Sequence, residues 1–320
     1  MLSMATSRVL TLGAWLTLAS AATFEPIFSI PGPPNPSAWF ENLAVRPNGN
    51  ILATRGDAPE IWQIDPATNT GSLLVSVSGA FNLTGISQVE TSRQGKGKGK
   101  GKGHHEGAET YVFASAYIPA PFQVEPGSAK VWTLSFDGSA PTVSLLKAMP
   151  EAGFLNGLAG WDEGRVLIGD TLNEAVYLMD VETGTYTTPL VGMAGVNGVQ
   201  VAPGYVYWAN HNVQTLSRVA VDANAVPTGS AELLATNQID DFALDLSNGK
   251  AYVAAMYDNE VVEVVLATGA KTVVATNLSG SGFGLCTSAV FGRRAADTRV
   301  LYATVGQGGE TVTAGLVAID

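Results

Sequence analysis

A short pattern recurs along this chain: a polar leader, a small or polar spacer, then an alternating apolar strand. It is carried by Glu41-Asn-Leu-Ala-Val, Thr84-Gly-Ile-Ser-Gln, Asn156-Gly-Leu-Ala-Gly, Asn197-Gly-Val-Gln-Val, Asp240-Asp-Phe-Ala-Leu and, less cleanly, Thr287-Ser-Ala-Val-Phe. The leaders are 43, 72, 41, 43 and 47 positions apart, and the long gap contains an insertion. Second strands follow at Ile51-Leu-Ala-Thr, Tyr111-Val-Phe-Ala, Arg165-Val-Leu-Ile, Tyr205-Val-Tyr-Trp, Lys250-Ala-Tyr-Val and Val300-Leu-Tyr-Ala. Third strands follow those, and several turn through stretches such as Asp65 to Gly71 and Asp180 to Gly184 into a fourth. Repeats of about 40–50 residues built from four short strands specify propeller blades. The sixth blade stops at Asp320 after its third strand, whereas Phe24-Glu-Pro-Ile-Phe-Ser-Ile precedes blade one unassigned. The expected fold is therefore all-β, a six-bladed β-propeller closed by an N-terminal strand in the last blade, which removes an open edge.

Composition excludes other classes. Seventeen Lys and Arg against 28 Asp and Glu give a net charge of −11, the wrong balance for a nucleic-acid binder. With 14% charged and 46% hydrophobic residues, the chain can bury a core and is not disordered in bulk. One cysteine, Cys286, excludes an internal disulfide framework and a cysteine-based zinc site.

Residues 1–22 combine Arg8, an apolar run from Val9 to Leu18 and the small triplet Ala19-Ser20-Ala21. That is the layout of a cleavable secretory signal, and it implies a secreted or vesicular protein. No later stretch approaches the ~20 apolar residues of a spanning helix, so no stable membrane span is expected. Asn82-Leu-Thr and Asn277-Leu-Ser are glycosylation sequons. Residues 23–320 form the expected single propeller domain. Within it, residues 93–108 alternate Gly and Lys and end near His104 and His105. They read as a flexible surface insertion in the blade-two hairpin, although the two histidines could touch a metal or an anionic surface.

In a propeller the first strand of each blade lines the channel, so all leaders emerge on one rim. Glu41, Asn156, Asn197 and Asp240 then converge as two carboxylates and two amides, hard oxygen donors suited to Ca²⁺, Mg²⁺ or Mn²⁺, with Zn²⁺ also accommodated. Asn-Gly and Asp-Asp pairs also form turns that cap strands, so each leader has a purely structural alternative. The ends of the second strands return to the same rim. They nominate Arg55, Asp57, Tyr117, Asp170, Asn210, His211 and Tyr257, with Trp39 as an apolar wall. His211, the one histidine outside the insertion, has a pKa range suited to proton shuttling. No nucleophile elbow, phosphate loop or HExxH helix is present.

At these residues the chain resembles the SMP-30/gluconolactonase-like six-bladed propellers. In that family a Glu, two Asn and an Asp surround a divalent metal and the substrate. Glu41, Asn156, Asn197 and Asp240 match that set in chain order. Asp240-Asp241-Phe-Ala-Leu-Asp245 is similar to the family's Asp-Gly-x-x-x-Asp segment, with Asp241 in the glycine position, so either aspartate is a candidate for the channel. Phe40-Glu-Asn-Leu-Ala-Val-Arg-Pro-Asn-Gly, Gly153-Phe-Leu-Asn-Gly-Leu-Ala and Ile239-Asp-Asp-Phe-Ala-Leu-Asp resemble secreted fungal members more closely. Some of those are hetero-Diels–Alderases of tropolone–sesquiterpenoid (meroterpenoid) biosynthesis.

That resemblance implies a small-molecule substrate. An o-quinone methide, formed by water loss from a tropolonic or phenolic precursor, would add across an alkene of a humulene-type sesquiterpene. Cyclisation itself requires no cofactor. Asp240 or His211 would supply acid and Tyr257 would shape the apolar side, while Trp39, Arg55, Tyr117, Asp170, Asn210 and Asp241 would contact substrate. The alternatives are a divalent-metal-dependent lactonase, using Glu41, Asn156, Asn197 and Asp240, and a non-enzymatic ligand-binding propeller.

Overall fold

A computed structural model describes residues 24–31, 37–90, 109–119, 123–137, 140–237, 239–276, 285–306 and 314–319. The secretory-type segment, the Gly/Lys insertion and Asn277 lie outside the described residues. The chain begins with β1 (Phe24–Ser29). Blade one is β2 (Phe40–Val45), β3 (Ile51–Arg55), β4 (Glu60–Asp65) and β5 (Thr70–Ser76). Blade two is β6 (Asn82–Val89), β7 (Glu109–Ala116), β8 (Lys130–Phe136) and β9 (Thr142–Ala148). Blade three is β10 (Leu155–Asp162), β11 (Arg165–Asp170), β12 (Ala175–Asp180) and β13 (Tyr186–Val191). Blade four is β14 (Val196–Ala202), β15 (Tyr205–Asn210), β16 (Thr215–Ala220) and β17 (Glu232–Thr236). Blade five is β18 (Phe242–Asp245), β19 (Lys250–Ala255), β20 (Glu260–Val265) and β21 (Lys271–Thr276). Blade six contributes β22 (Ala289–Phe291), β23 (Leu301–Val305) and β24 (Gly315–Ile319).

The result is six antiparallel four-stranded sheets, the sixth in the order β1-β24-β23-β22. The N-terminal strand thus supplies the outer strand that the C-terminal blade lacks, pairing Phe24 with Ile319 and Ser29 with Gly315. No helix among the described residues is long and apolar enough to cross a membrane.

Alternation in each strand gives every inner sheet two apolar faces, and these faces meet between blades. Six buried clusters fill the six seams. Val112 and Ala114 pack with Val166 and Ile168 between blades two and three. Leu167 and Val176 meet Val199 and Val206 between three and four. Phe40, Ile51 and Trp62 meet Ile27, Tyr302 and Leu316 between six and one.

The inner strands are also wired to each other in a ring. Thr54 Oγ1 donates to the carbonyl of Thr84, and Thr84 Oγ1 to that of Leu155. Thr171 Oγ1 donates to the carbonyl of Val196, and Gly198 N to that of Asp240. Asp241 N donates to the carbonyl of Thr287, whose own Oγ1 donates to the carbonyl of Phe40. Each link joins one blade to the next, so buried backbone carbonyls at the hub are satisfied by the neighbouring blade.

Candidate functional site

The leaders leave the regular ladder at irregularities in their own strands. The register of β2 shifts between Phe40 and Asn42, that of β10 between Leu155 and Leu158, and that of β14 between Val196 and Val199. Glu41, Asn156 and Asn197 fall inside those shifts, and such bulges re-aim side chains that a regular pleat would commit to the sheet. In blade five, Asp240 and Asp241 lie just before β18 begins at Phe242.

Asn156, Asn197, Asp240 and Asp241 are all buried. The Asn197 amide lies near the Asp240 carboxyl and favours its ionised form. Asp241 accepts from Asn42 Nδ2 at 2.8 Å and from Phe242 N at 2.8 Å, with Gln200 Nε2 at 3.5 Å. The Asn42–Asp241 bond crosses from blade one to blade five. Both aspartates of the Asp240-Asp241 pair therefore enter the hub, with different partners. Glu41 Oε2 accepts from Trp39 Nε1 at 2.7 Å.

Electrostatics follow from that crowding. Burial, and secondarily the charge of Asp241, push Glu41 up to about 7 against the stabilising bond from Trp39. Burial raises Asp240 well above the carboxylate range, with the charges of Glu41 and Asp241 adding to it. Asp241 is raised by burial to about 6, held that low by its donors from Phe242, Asn42 and Gln200. The hub thus concentrates three carboxyl groups that burial drives toward the neutral, hydrogen-bond-donating form. Beside them, burial and the Asp240 charge push the Cys286 thiol up, which makes it a poor nucleophile.

A layer of groups fixes Trp39 in turn. Its backbone N donates to Asp57 Oδ1 at 3.3 Å, and its indole lies where a side chain on Gly56 would stand. Asp57 is bound by Arg55, whose guanidinium also reaches Glu60 at 2.9 Å. Arg55 is thus a partnered cation that acts through Asp57 and Trp39. Trp39 serves as a donor to Glu41 as well as a wall.

Other nominated residues take different places. Asp170 is fully buried and accepts from the N–H groups of Gly153, Phe154 and Asn173 and from the Tyr177 hydroxyl. Asn210 Oδ1 accepts from Val213 N at 3.0 Å. Both organise the turns between second and third strands, in which Glu174 and Gln214 adopt positive φ. Tyr117 packs against Phe81 at the blade-two rim, the rings tilted with centroids 4.5 Å apart. Asn82 is buried in β6, its Nδ2 donating to the carbonyl of Gly56 and its Oδ1 accepting from Ile118 N, a setting unlike the exposed loop on which a glycan is attached.

His211 and Tyr257 sit on equivalent turns of blades four and five, their rings 5.8 Å apart. Burial lowers the His211 pKa and raises that of Tyr257, the latter helped by the charge of Asp240. With Gln214, Ile239 and Met256 they line a cavity of about 30 Å³.

Sequence reasoning missed Asn42, Gln200 and Ser288, the last of which buries its hydroxyl near the Asp241 carboxyl without a hydrogen-bond partner among the described residues. The signal available was positional. Asn42 and Ser288 occupy the slot after the leader that is Gly85, Gly157 and Gly198 in blades two, three and four, and Asp241 in blade five.

The donor set at the hub fits a hard divalent cation in type, and its mutually repelling carboxyls would be relieved by one. Among the described residues no three His, Cys, Asp or Glu side chains group as a metal shell, so such an ion would draw on the Asn156 and Asn197 oxygens besides Glu41 and Asp240.

No family model matches the chain. It is 24% identical over 316 residues to a protein of Phoma sp named "Putative hetero-Diels-Alderase", covering 83% of each chain. It is 22% identical over 320 residues to a similarly named protein of Sarocladium schorii, covering 83% of this chain and 75% of that one. Among solved structures, it resembles one described as a "putative gluconolactonase", with a TM-score of 0.62 at 12% identity over 93% of this chain and 92% of the other. The chain is thus similar in sequence to proteins of hetero-Diels–Alderase name and in fold to gluconolactonase-like six-bladed propellers.

Proposed function

We propose that this protein is a secondary-metabolism cyclase of hetero-Diels–Alderase type, coupling a tropolonic or phenolic o-quinone methide with an alkene of a humulene-type sesquiterpene. The observation that carries the reading is the likeness to the Phoma protein over 83% of both chains. The hub chemistry is consistent with it. A hydroxylated precursor loses water when a neutral carboxylic acid protonates the leaving hydroxyl while the ring O–H proton passes back to the carboxylate so formed, and Asp240 is the best candidate for that group. The quinone methide so formed then adds to the alkene, making one C–C and one C–O bond with no atom lost. Glu41, held by Trp39, donates toward the quinone oxygen and stabilises negative charge developing there. Confining both partners at the channel mouth removes an entropic barrier worth up to ~7–11 kcal/mol for well-oriented reactants. The secretory-type leader supports an address in the secretory route for this chemistry.

The second reading is a metal-dependent lactonase, favoured by the oxygen-rich hub and the gluconolactonase-like fold. Glu41, Asn156, Asn197 and Asp240 would hold the ion, which when bound would polarise a lactone carbonyl. The two readings separate in one pair of assays on the purified chain. The cyclase reading expects a single stereoisomer from a hydroxylated tropolone and humulenol, at a rate unchanged by chelator and strongly reduced by Asp240→Ala. Stereorandom product at the buffer rate, together with chelator-sensitive hydrolysis of aldonolactones, overturns it in favour of the lactonase.

A further inference from the structure

The small cavity between the blade-four and blade-five turns has no role in the chemistry described above. Its walls are the side chains of Ile239 and Met256, the rings of His211 and Tyr257, and Gln214. None carries a full charge at neutral pH, because burial lowers the pKa of His211 and raises that of Tyr257. An anion would find no counter-charge among these residues, whereas an apolar group would meet the aliphatic side chains of Ile239 and Met256 beside the two rings.

Position and size narrow the occupant. Ile239 directly precedes Asp240 in the chain, and the charge of Asp240 is felt at Tyr257. A group in the cavity therefore lies beside the hub acid rather than at a remote site. Its volume of about 30 Å³ exceeds the ~10–15 Å³ that a single water needs, yet it is far below the ~300–1,000 Å³ of a pocket that engulfs a whole ligand. It accommodates a branch of a ligand whose body rests elsewhere on the rim. Val213 is exposed on the same turn as His211 and Tyr257 is half-exposed, which continues the apolar surface outward from the cavity.

We propose that this cavity is a specificity subsite for the methyl-bearing alkene end of the hydrocarbon partner, holding it beside the hub while the polar partner occupies the hub itself. The proposal rests on the cyclase reading for the identity of the hydrocarbon. Met256 is the adjustable wall, since its unbranched thioether adapts to irregular space.

The test uses the full chain and two probes measured separately by calorimetry: humulene alone, and a hydroxylated tropolone alone. Met256→Trp fills the cavity, and Met256→Ala enlarges it. Excluding a methyl branch costs roughly fourfold in affinity per carbon, so Met256→Trp is expected to weaken humulene binding about fourfold while tropolone binding changes less than twofold. Met256→Ala is expected to bind bulkier alkenes that the wild type rejects. Matched melting temperatures for the three proteins show that folding is not the cause. Unchanged humulene affinity in Met256→Trp overturns the subsite, as does a wild type that binds no humulene. The two proposals fail separately: humulene binding weakened in Met256→Trp but no coupling in the wild type removes the cyclase and keeps the cavity. Coupling with unaltered alkene selectivity in both variants removes the cavity and keeps the cyclase.

Discussion

The two halves of the channel use the same repeat slot in opposite ways. On blades two, three and four, the residue after the leader is Gly85, Gly157 or Gly198. A Cβ on Gly85 would lie 2.2 Å from the Asn156 carbonyl, and one on Gly157 would lie 2.3 Å from the Asn197 carbonyl. On blades two and three the slot is spent on backbone contact between blades, and on blade four Gly198 makes room for the Asp241 side chain and backbone. On blades five, six and one, the slot holds Asp241, Ser288 and Asn42, polar side chains that meet at the hub. The polar half also contains the seam where β1 meets β24. One repeat thus supplies both a rigid wall and a reactive one, and the choice is made by whether a side chain fits.

The largest expected effect comes from breaking that seam. Removing Phe24 to Ile30 strips β1 from blade six and uncovers the cluster around Phe40, Trp62 and Leu316. Thermal unfolding followed by circular dichroism should then show loss of the cooperative transition, and an unchanged midpoint would contradict closure by this strand. Next is the glycine wall. Gly157→Ala forces backbone apart at a blade seam and should cost roughly 1–3 kcal/mol or more in urea denaturation. Ser288→Ala at the same slot of blade six should cost under about 1 kcal/mol. Equal costs would erase the contrast between the halves.

Asn42→Ala removes a buried donor from Asp241 and should cost about 1.5–3 kcal/mol at neutral pH, less below the Asp241 pKa of about 6. Last is a pH effect worth roughly a few kcal/mol, at ~1.4 kcal/mol for each tenfold gain in proton affinity on folding. Glu41 and Asp241 bind protons more tightly folded than unfolded, so the cost of ionising them is absent below about pH 4. It grows as pH rises from about 4 and is complete once pH passes about 6 and 7, the values these groups reach in the fold. The melting temperature should therefore fall across that window, and Glu41→Gln should flatten the slope. A rising melting temperature between those values would reverse the assignment.

Much of this was legible in the sequence, for a physical reason. Blade strands are local and alternate, so their number, their order and the closing role of Phe24 to Ile30 follow from pattern alone. The leaders were legible too, because a polar residue recurring before each inner strand marks the rim where those strands begin. What escaped depends on closure. Asn42 and Asp241 are 199 residues apart, and nothing local to either announces the other. Asp170 and Asn210 look like rim groups in sequence, yet they hold turn N–H groups, because the end of a strand serves a ligand or its own turn equally well. Trp39 reads as an apolar wall until its indole N–H is seen to point at Glu41.

Infrared difference spectroscopy of the carboxyl groups reports directly on whether the polar half of the hub holds neutral acids. The expected result is a protonated-carboxyl band that persists above the ordinary range of ~4, titrates near pH 7 as placed for Glu41, and weakens in both Glu41→Gln and Asp240→Asn. A wild type whose carboxyl groups are all ionised by about pH 5, with no band lost in either variant, would contradict it.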